Sequence, residues 1–185
     1  SVNSTWIWCY MKECRRCRTA VVGGAGFLGS HLVEHLIEDR CCEVLVLDNL
    51  CVGQLDFLHK DAGFEHVDVT HSEERMRKLF RGIDFVFNYA AHPYVPYSFA
   101  HPIHVFETNA SGAMKVINAA HEAGCSAILQ VSSAELYGDH PKDTRICETD
   151  PVQPHSSYGA SKAAVDFYVQ ARWREAKVPC IALRQ

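Results

Sequence analysis

The chain has 185 residues, 48% of them hydrophobic and 22% charged, with a formal net charge of -4 and a pI near 6.2, an ordinary globular composition with length for one domain. No stretch approaches the roughly 18 consecutive apolar residues of a membrane span, and no low-complexity tract prevents core formation. Mild net acidity argues against nucleic acid as the main partner, because phosphate binding needs a concentrated basic surface.

The first ten residues, SVNSTWIWCY, lack the charged start and long apolar centre of a signal peptide. Met11 reads as the natural start, which makes residues 1–10 upstream or vector-derived sequence and residues 1–17 an extension ahead of one domain over 18–185. Lys12, Arg15, Arg16 and Arg18 cluster there and read as a solvated end. Nine cysteines, at 9, 14, 17, 41, 42, 51, 125, 147 and 180, are odd in number and scattered, which suits reduced thiols in the cytoplasm. Cys14-x-x-Cys17 has no second pair to complete a zinc site, so no metal is expected.

Short apolar runs then alternate with longer helical patterns, as an α/β parallel sheet requires. Strands are expected over 19–22, 43–47, 64–67, 85–89, 127–131 and 180–183, mostly as continuous apolar runs suited to strands covered on both faces. Helices are expected over 27–38, 73–80, 103–123 and 158–176. In the last, Ala160, Ala164, Phe167, Val169 and Ala171 are expected to supply much of the inward face. The economical reading is a Rossmann-type doubly wound parallel sheet in three α/β/α layers.

The sharpest local signal follows the first strand and opens the first helix: Gly23-Gly24-Ala25-Gly26-Phe27-Leu28-Gly29. Glycines permit the tight turn and let backbone N–H groups approach a pyrophosphate, whose charge the helix N-terminus favours. Asp48 ends the next strand, where a carboxylate accepts hydrogen bonds from the adenosine ribose and repels a 2′-phosphate. No Lys or Arg follows in Asn49-Leu50-Cys51-Val52-Gly53, which favours NAD over NADP. Tyr158-Gly159-Ala160-Ser161-Lys162 puts a phenol and an ammonium on one helical face. A free Tyr titrates near ~10, and a fixed positive neighbour is expected to lower that. Ser133 and Glu135 follow the fifth strand, at the carboxyl end where active groups of doubly wound sheets gather.

In this order the motifs resemble the extended short-chain dehydrogenase/reductase family, in particular its NAD-dependent nucleotide-sugar epimerases and dehydratases. The resemblance runs from about Arg18 to Arg184. The opening Val21-Val22-Gly23-Gly24-Ala25-Gly26-Phe27-Leu28-Gly29-Ser30 has Val22 where the family usually has Thr. Asp48-Asn49-Leu50 resembles its ribose-binding segment, Asp68-Val69 its adenine-side pair, and Ala90-Ala91 with Val95 and Ser98 its loop over the cofactor. Thr108-Asn109-Ala110-Ser111-Gly112 resembles its Asn-containing helix. Ser132-Ser133-Ala134-Glu135-Leu136-Tyr137-Gly138 resembles its catalytic Ser/Thr segment, and Tyr158 with Lys162 completes the triad.

The resemblance implies NAD bound by Gly23, Gly26, Phe27, Leu28, Gly29, Asp48, Asn49, Asp68, Val69, Ala90, Ala91, Asn109, Tyr158 and Lys162. It further implies that Tyr158 removes a proton from a sugar hydroxyl at C4, Ser133 holds that hydroxyl, and Lys162 keeps Tyr158 ionised and grips the ribose. A transient 4-keto sugar of a nucleotide diphosphate follows. Ala134 stands where dehydratases carry an acidic Asp, which favours epimerisation. Glu135, an additional acid/base candidate, keeps dehydration or decarboxylation as the alternative, with a non-catalytic NAD-binding fragment as another. The family continues into a smaller lobe for the nucleotide sugar that has no counterpart before Gln185, so little turnover is expected of this chain alone. A homodimer is implied through the helices over 103–123 and 158–176. The loop His92-Pro93-Tyr94, Pro96-Tyr97 is read as loop packing beside the substrate.

Overall fold

A computed structural model describes residues 17–141 and 143–185. The expectations for residues 1–10, Met11, Lys12, Arg15, Arg16, Cys9 and Cys14 lie outside the described residues. Six parallel strands, β1 (Arg18–Val22), β2 (Glu43–Asp48), β3 (Gly63–His66), β4 (Phe85–Asn88), β5 (Ala127–Val131) and β6 (Cys180–Leu183), form one sheet in the order β3-β2-β1-β4-β5-β6. This is the doubly wound α/β order, in which the direction of winding reverses between β1 and β4 and opens a crevice at their carboxyl ends. The register pairs Val22 with both Leu47 and Asn88, so the ends of three strands meet beside that crevice.

Alternation along the strands separates the two cores, since successive side chains point to opposite faces. Ala20, Val22, Leu47, Val86 and Ile128 face one layer, where they pack with Met76, Phe80, Val116, Ile117, Val165 and Val169 from α2 (Glu73–Leu79), α5 (Ala113–Glu122), α6 (Ser157–Ala176) and nearby turns. Val21, Val44 and Val46 face the other, against Val33 and Leu36 of α1 (Phe27–Glu38). This second face is covered chiefly over β1 and β2. Ile181 and Leu183 of β6 remain 41% exposed, so the expectation that each apolar strand is covered on both faces does not hold at that edge.

Two helices depart from their expected form. Residues 103–123 are α4 (Pro102–Phe106), a π-helical turn (Glu107–Gly112) and α5, preceded by a short α3 (Val95–Ala100) that six residues were too few to announce. In α6 the most buried stripe is Tyr158, Ser161, Lys162, Val165, Asp166 and Val169. Of the expected inward face, Val169 is buried and Ala164 packs against the core, Ala160 and Ala171 are half-buried, and Phe167 is 54% exposed. The stripe has the i, i+3, i+4 spacing of one helical face, but half of it is polar, so apolar residues alone marked only part of it.

Candidate functional site

The crevice at the switch point is a cleft of about 410 Å³. Its floor at one end is the turn between β1 and α1. Gly23 there has φ +79°, a left-handed conformation natural to glycine. A Cβ on Gly29 would lie 2.2 Å from the Gly23 carbonyl oxygen, so the helix can approach the turn only with glycine at this position. Gly26 differs: a Cβ there would meet just the Gly23 oxygen, at 3.3 Å. Packing within the protein therefore constrains Gly26 far less than Gly29, and Gly26 borders the cleft. Gly26 caps α1 without a side-chain hydrogen bond, and the first turn contains no acidic residue. The orphan N–H groups and positive end of the helix are thus available to an anion.

Asp48, 8% exposed at the end of β2, organises this end of the cleft. Its Oδ2 accepts the Ala25 N–H at 3.0 Å and its Oδ1 the Leu50 N–H at 2.8 Å. Each carboxylate oxygen retains acceptor capacity for a ligand hydroxyl. Asp68 accepts from the Thr70 N–H at 2.8 Å, the Thr70 hydroxyl and the Asn49 amide at 3.1 Å. Burial alone would raise its carboxyl, and these donors outweigh it and hold it below the usual range.

At the other end, Ser133 caps the 3₁₀ turn Ala134–Tyr137, its Oγ accepting the Glu135 N–H at 3.2 Å. The Ser133 side chain also lies close enough to the Tyr158 phenol to favour its ionised form. Tyr158 sits in the first turn of α6, placed there by Ser156, which accepts the Gly159 N–H at 3.0 Å as N-cap. Lys162, one turn on and 4% exposed, donates to the Val131 carbonyl at 3.1 Å and lies 5.8 Å from the Tyr158 ring centroid. Burial depresses its ammonium to about 8. The expected lowering of Tyr158 is absent in the free chain: burial, with Glu135 adding to it, raises the phenol despite the influence of Ser133. Lys162 instead directs its ammonium to the Val131 carbonyl and lies over the phenol ring.

The cleft brings together Gly23, Gly26, Phe27, Leu28, Gly29, Asp48, Asn49, Val69, Ala90, Ala91, Ser133 and Tyr158. Asp68, Asn109, Glu135 and Lys162 are not in its lining. Asp68 supports Asn49 from behind. Asn109, in the π turn and fully buried, clamps the loop instead, accepting the His92 N–H at 2.7 Å and donating to the His92 carbonyl at 3.2 Å. Glu135 stands beside the cleft with its side chain 41% exposed, 3.9 Å from His155. Lys162 lies behind Val131 and Tyr158. Apolar strand ends that sequence reasoning had assigned only to the core, Val22, Leu47, Val67 and Val131, also form the wall, as do Ser132, Thr108 and Cys51. Thr108 reaches the wall from the π turn; the common signal of the others is position at or just after a strand's carboxyl end.

These residues fit a nicotinamide dinucleotide: an anion-binding turn, an acidic ribose acceptor and an apolar wall ending at a hydroxyl pair share one crevice. Among the described residues no group of His, Cys, Asp and Glu could hold a metal ion.

Residues 19–185 match the model of the NAD dependent epimerase/dehydratase family. The chain is 34% identical over 167 residues to a UDP-glucose 4-epimerase of Streptococcus mutans, covering 89% of this chain and 50% of that protein. It is 33% identical over 175 residues to the dTDP-D-glucose 4,6-dehydratase of Mus musculus, covering 90% and 49%. The structure of Thermus thermophilus UDP-glucose 4-epimerase in complex with NAD superposes with a TM-score of 0.84 at 35% identity, over 90% of this chain and 54% of that one. The Streptomyces venezuelae dTDP-glucose 4,6-dehydratase DesIV, with NAD bound, gives 0.85 at 31% identity, over 90% and 55%. The chain spans about half the length of the curated relatives it matches.

Proposed function

This chain belongs to the NAD dependent epimerase/dehydratase family, and from that premise we propose that residues 18–185 are an NAD-binding domain whose cleft serves oxidation of a nucleotide-sugar hydroxyl. The carrying observation is that the Gly23–Gly29 turn and the Ser133–Tyr158 hydroxyl pair line the same cleft. Similarity to epimerases and dehydratases whose structures hold NAD supports the cofactor. Gly26, Phe27 and Leu28 hold the pyrophosphate, Asp48 and Asn49 the adenosine ribose, and Val69 the adenine side. Bound NAD supplies the hydride acceptor.

Ser133 positions the substrate hydroxyl, at C4 of the sugar, and Tyr158 takes its proton as the carbon gives up hydride. Burial keeps the free Tyr158 phenol protonated at neutral pH. Lys162, one helical turn away, would favour the ionised phenol during the reaction, and a bound oxidised nicotinamide would add positive charge to the same effect. Outcome at the 4-keto stage is epimerisation, supported by Ala134 in place of a carboxylic acid beside Ser133. Glu135, which lies near enough to Tyr158 to raise its phenol and 3.9 Å from His155, keeps dehydration or decarboxylation as the alternative.

The substrate is a nucleotide-diphosphate sugar, a reading supported by relatives that are UDP-glucose and dTDP-glucose enzymes. Incubation of the protein with NAD and UDP-glucose, followed by NMR of the sugar, is the test. An epimer formed in the small yield expected of this chain alone and lost in Tyr158→Phe supports the proposal, and a dehydrated 4-keto sugar would replace epimerisation with the alternative. A homodimer is supported by an apolar outer face where α3 and α4 adjoin α6: Phe99, Ile103, Phe106 and Phe167 are 66, 71, 43 and 54% exposed. Sedimentation of Phe167→Asp tests it. Among the described residues no helix is long and apolar enough to cross a membrane. A cytoplasmic site of action is supported by Cys41, Cys42, Cys51, Cys125, Cys147 and Cys180, none of which is in a disulfide.

A further inference from the structure

Where β4 and β5 end beside the cleft, two buried amides face each other across the ladder. Asn88 and Gln130 are register partners, 0 and 1% exposed. The hydrogen bonds through them run in one direction. The Ala90 N–H, in the loop lining the cleft, donates to Asn88 Oδ1 at 3.2 Å. Asn88 Nδ2 donates to Gln130 Oε1 at 2.7 Å, and Gln130 Nε2 donates to the Val131 carbonyl at 2.9 Å. That same carbonyl receives the Lys162 ammonium at 3.1 Å. Each position needs an acceptor at one end and a donor at the other, which an amide supplies and neither a carboxylate nor an apolar side chain does. Two polar side chains in the middle of a parallel sheet are costly unless fully satisfied, and nothing in the strand pairing itself requires them.

We propose that Asn88 and Gln130 are positioning residues, an amide relay that occupies one lone pair of the Val131 carbonyl and so fixes where Lys162 rests. A carbonyl oxygen has two lone pairs. With Gln130 on one, the ammonium has a single seat, and its remaining protons keep a defined direction behind Tyr158. Without Gln130, the carbonyl gives more to Lys162 and offers it a second seat. The relay also ties that seat to Ala90, so the loop on one side of the cleft and the lysine on the other are held by a continuous set of bonds. Among the described residues Lys162 has no carboxylate partner, and burial is the influence on its charge. The ionisable groups that share its buried face of α6 are Tyr158, and Asp166, which is paired with Arg184. The functional consequence, for cofactor binding, rests on the NAD reading above, whereas the relay itself does not.

The decisive measurement is an NMR titration of the cofactor-free chain labelled with [13Cε]lysine, with the Lys162 signal assigned by its loss in Lys162→Arg. In the native chain the midpoint is expected near about 8. Gln130→Met is expected to raise it by about half a unit or more, because the ammonium gains the carbonyl's second lone pair. Asn88→Ser, which releases the Gln130 amide, should move it the same way by less. Val33→Ala, a core truncation beneath α1, should leave it in place. An unchanged midpoint in both relay variants would overturn the proposal. So would failure of both to fold while Lys162→Arg folds, because the pair would then be structural only. A second arm measures NAD affinity in a double-mutant cycle: Gln130→Met should weaken NAD several-fold in the native background and not at all in Lys162→Met. If the native chain bound no NAD, the cofactor reading would fail while the titration still decided the relay.

Discussion

Arg184 grips Asp166 with two hydrogen bonds, Nε to Oδ2 at 2.9 Å and Nη2 to Oδ1 at 2.7 Å. Asp166 is buried, its side chain 4% exposed, and Arg184 is half-buried at 16%; Asp166 shares the α6 stripe that presents Tyr158 and Lys162. Arg184 Nη1 also donates to the Tyr137 hydroxyl and, at 3.0 Å, to the Glu148 carbonyl. One guanidinium therefore joins the end of β6 to α6, to the turn that follows Ser133 and to the loop beyond it. Removing one partner strands a buried charge, so Arg184→Met is expected to cost about 3 kcal/mol in denaturant unfolding. Burial raises the Asp166 carboxyl, but Arg184 and Gln170 more than offset it and hold it below the usual range. Its stabilising contribution is therefore complete above ~4 and lost as pH falls through the lowered native value. The acid limb of stability against pH should flatten in Asp166→Asn.

Lys162 acts in the opposite sense. Its native value of about 8 lies below the unfolded ~10.4, so the buried ammonium destabilises the fold most fully below pH ~8, and the penalty fades as pH rises toward ~10.4. Lys162→Met should be more stable than the native chain at pH 7, by about 1–3 kcal/mol after allowing for the lost Val131 bond. Thermal melts at pH 7 and pH 10 check this: the advantage should be present at the first and nearly gone at the second. A less stable Lys162→Met at pH 7 would show that the ammonium is not held against its own burial.

Glycine substitutions should separate close approach from backbone strain. Gly29→Ala puts a Cβ 2.2 Å from the Gly23 oxygen and 2.8 Å from the Gly24 Cα, so α1 must move off the turn, at about 3 kcal/mol. Gly124 has φ +84° with nothing within 4 Å of a Cβ. Gly124→Ala should therefore cost only conformational strain, about 1 kcal/mol. Urea melts of the two variants are the check, and equal losses would contradict the packing described at the turn.

How far the sequence reached follows from what kinds of pattern it carries. Strands of a parallel sheet read as short, mostly apolar runs, so β1, β2, β5 and β6 were legible nearly to the residue. The glycine turn and Asp48 were legible because their spacing is set by backbone geometry. The inward face of α6 was legible only in part, since Lys162 and Asp166 are buried with their partners on other elements and Ser161 bonds back to the Tyr158 carbonyl of its own helix, and a partner such as Arg184 cannot be seen in local spacing. Asn109 was legible as special, yet its clamp on His92 depends on a π turn that no propensity announces. The Asn88–Gln130 pair escaped notice because two amides in apolar runs look like interruptions until the register sets them face to face.

The central claim is that the switch-point cleft is an NAD site organised by Asp48. It is tested most directly by calorimetric titration of the 185-residue chain with NAD and with NADP, in the native protein and in Asp48→Ala, alongside thermal melts at saturating cofactor. The account predicts saturable binding that favours NAD, stabilisation of about 2.7 kcal/mol at a hundredfold excess over Kd, and loss of both preference and most affinity in the variant. A cooperatively folded chain that binds neither cofactor, or binds both equally with Asp48 replaced or not, would contradict it.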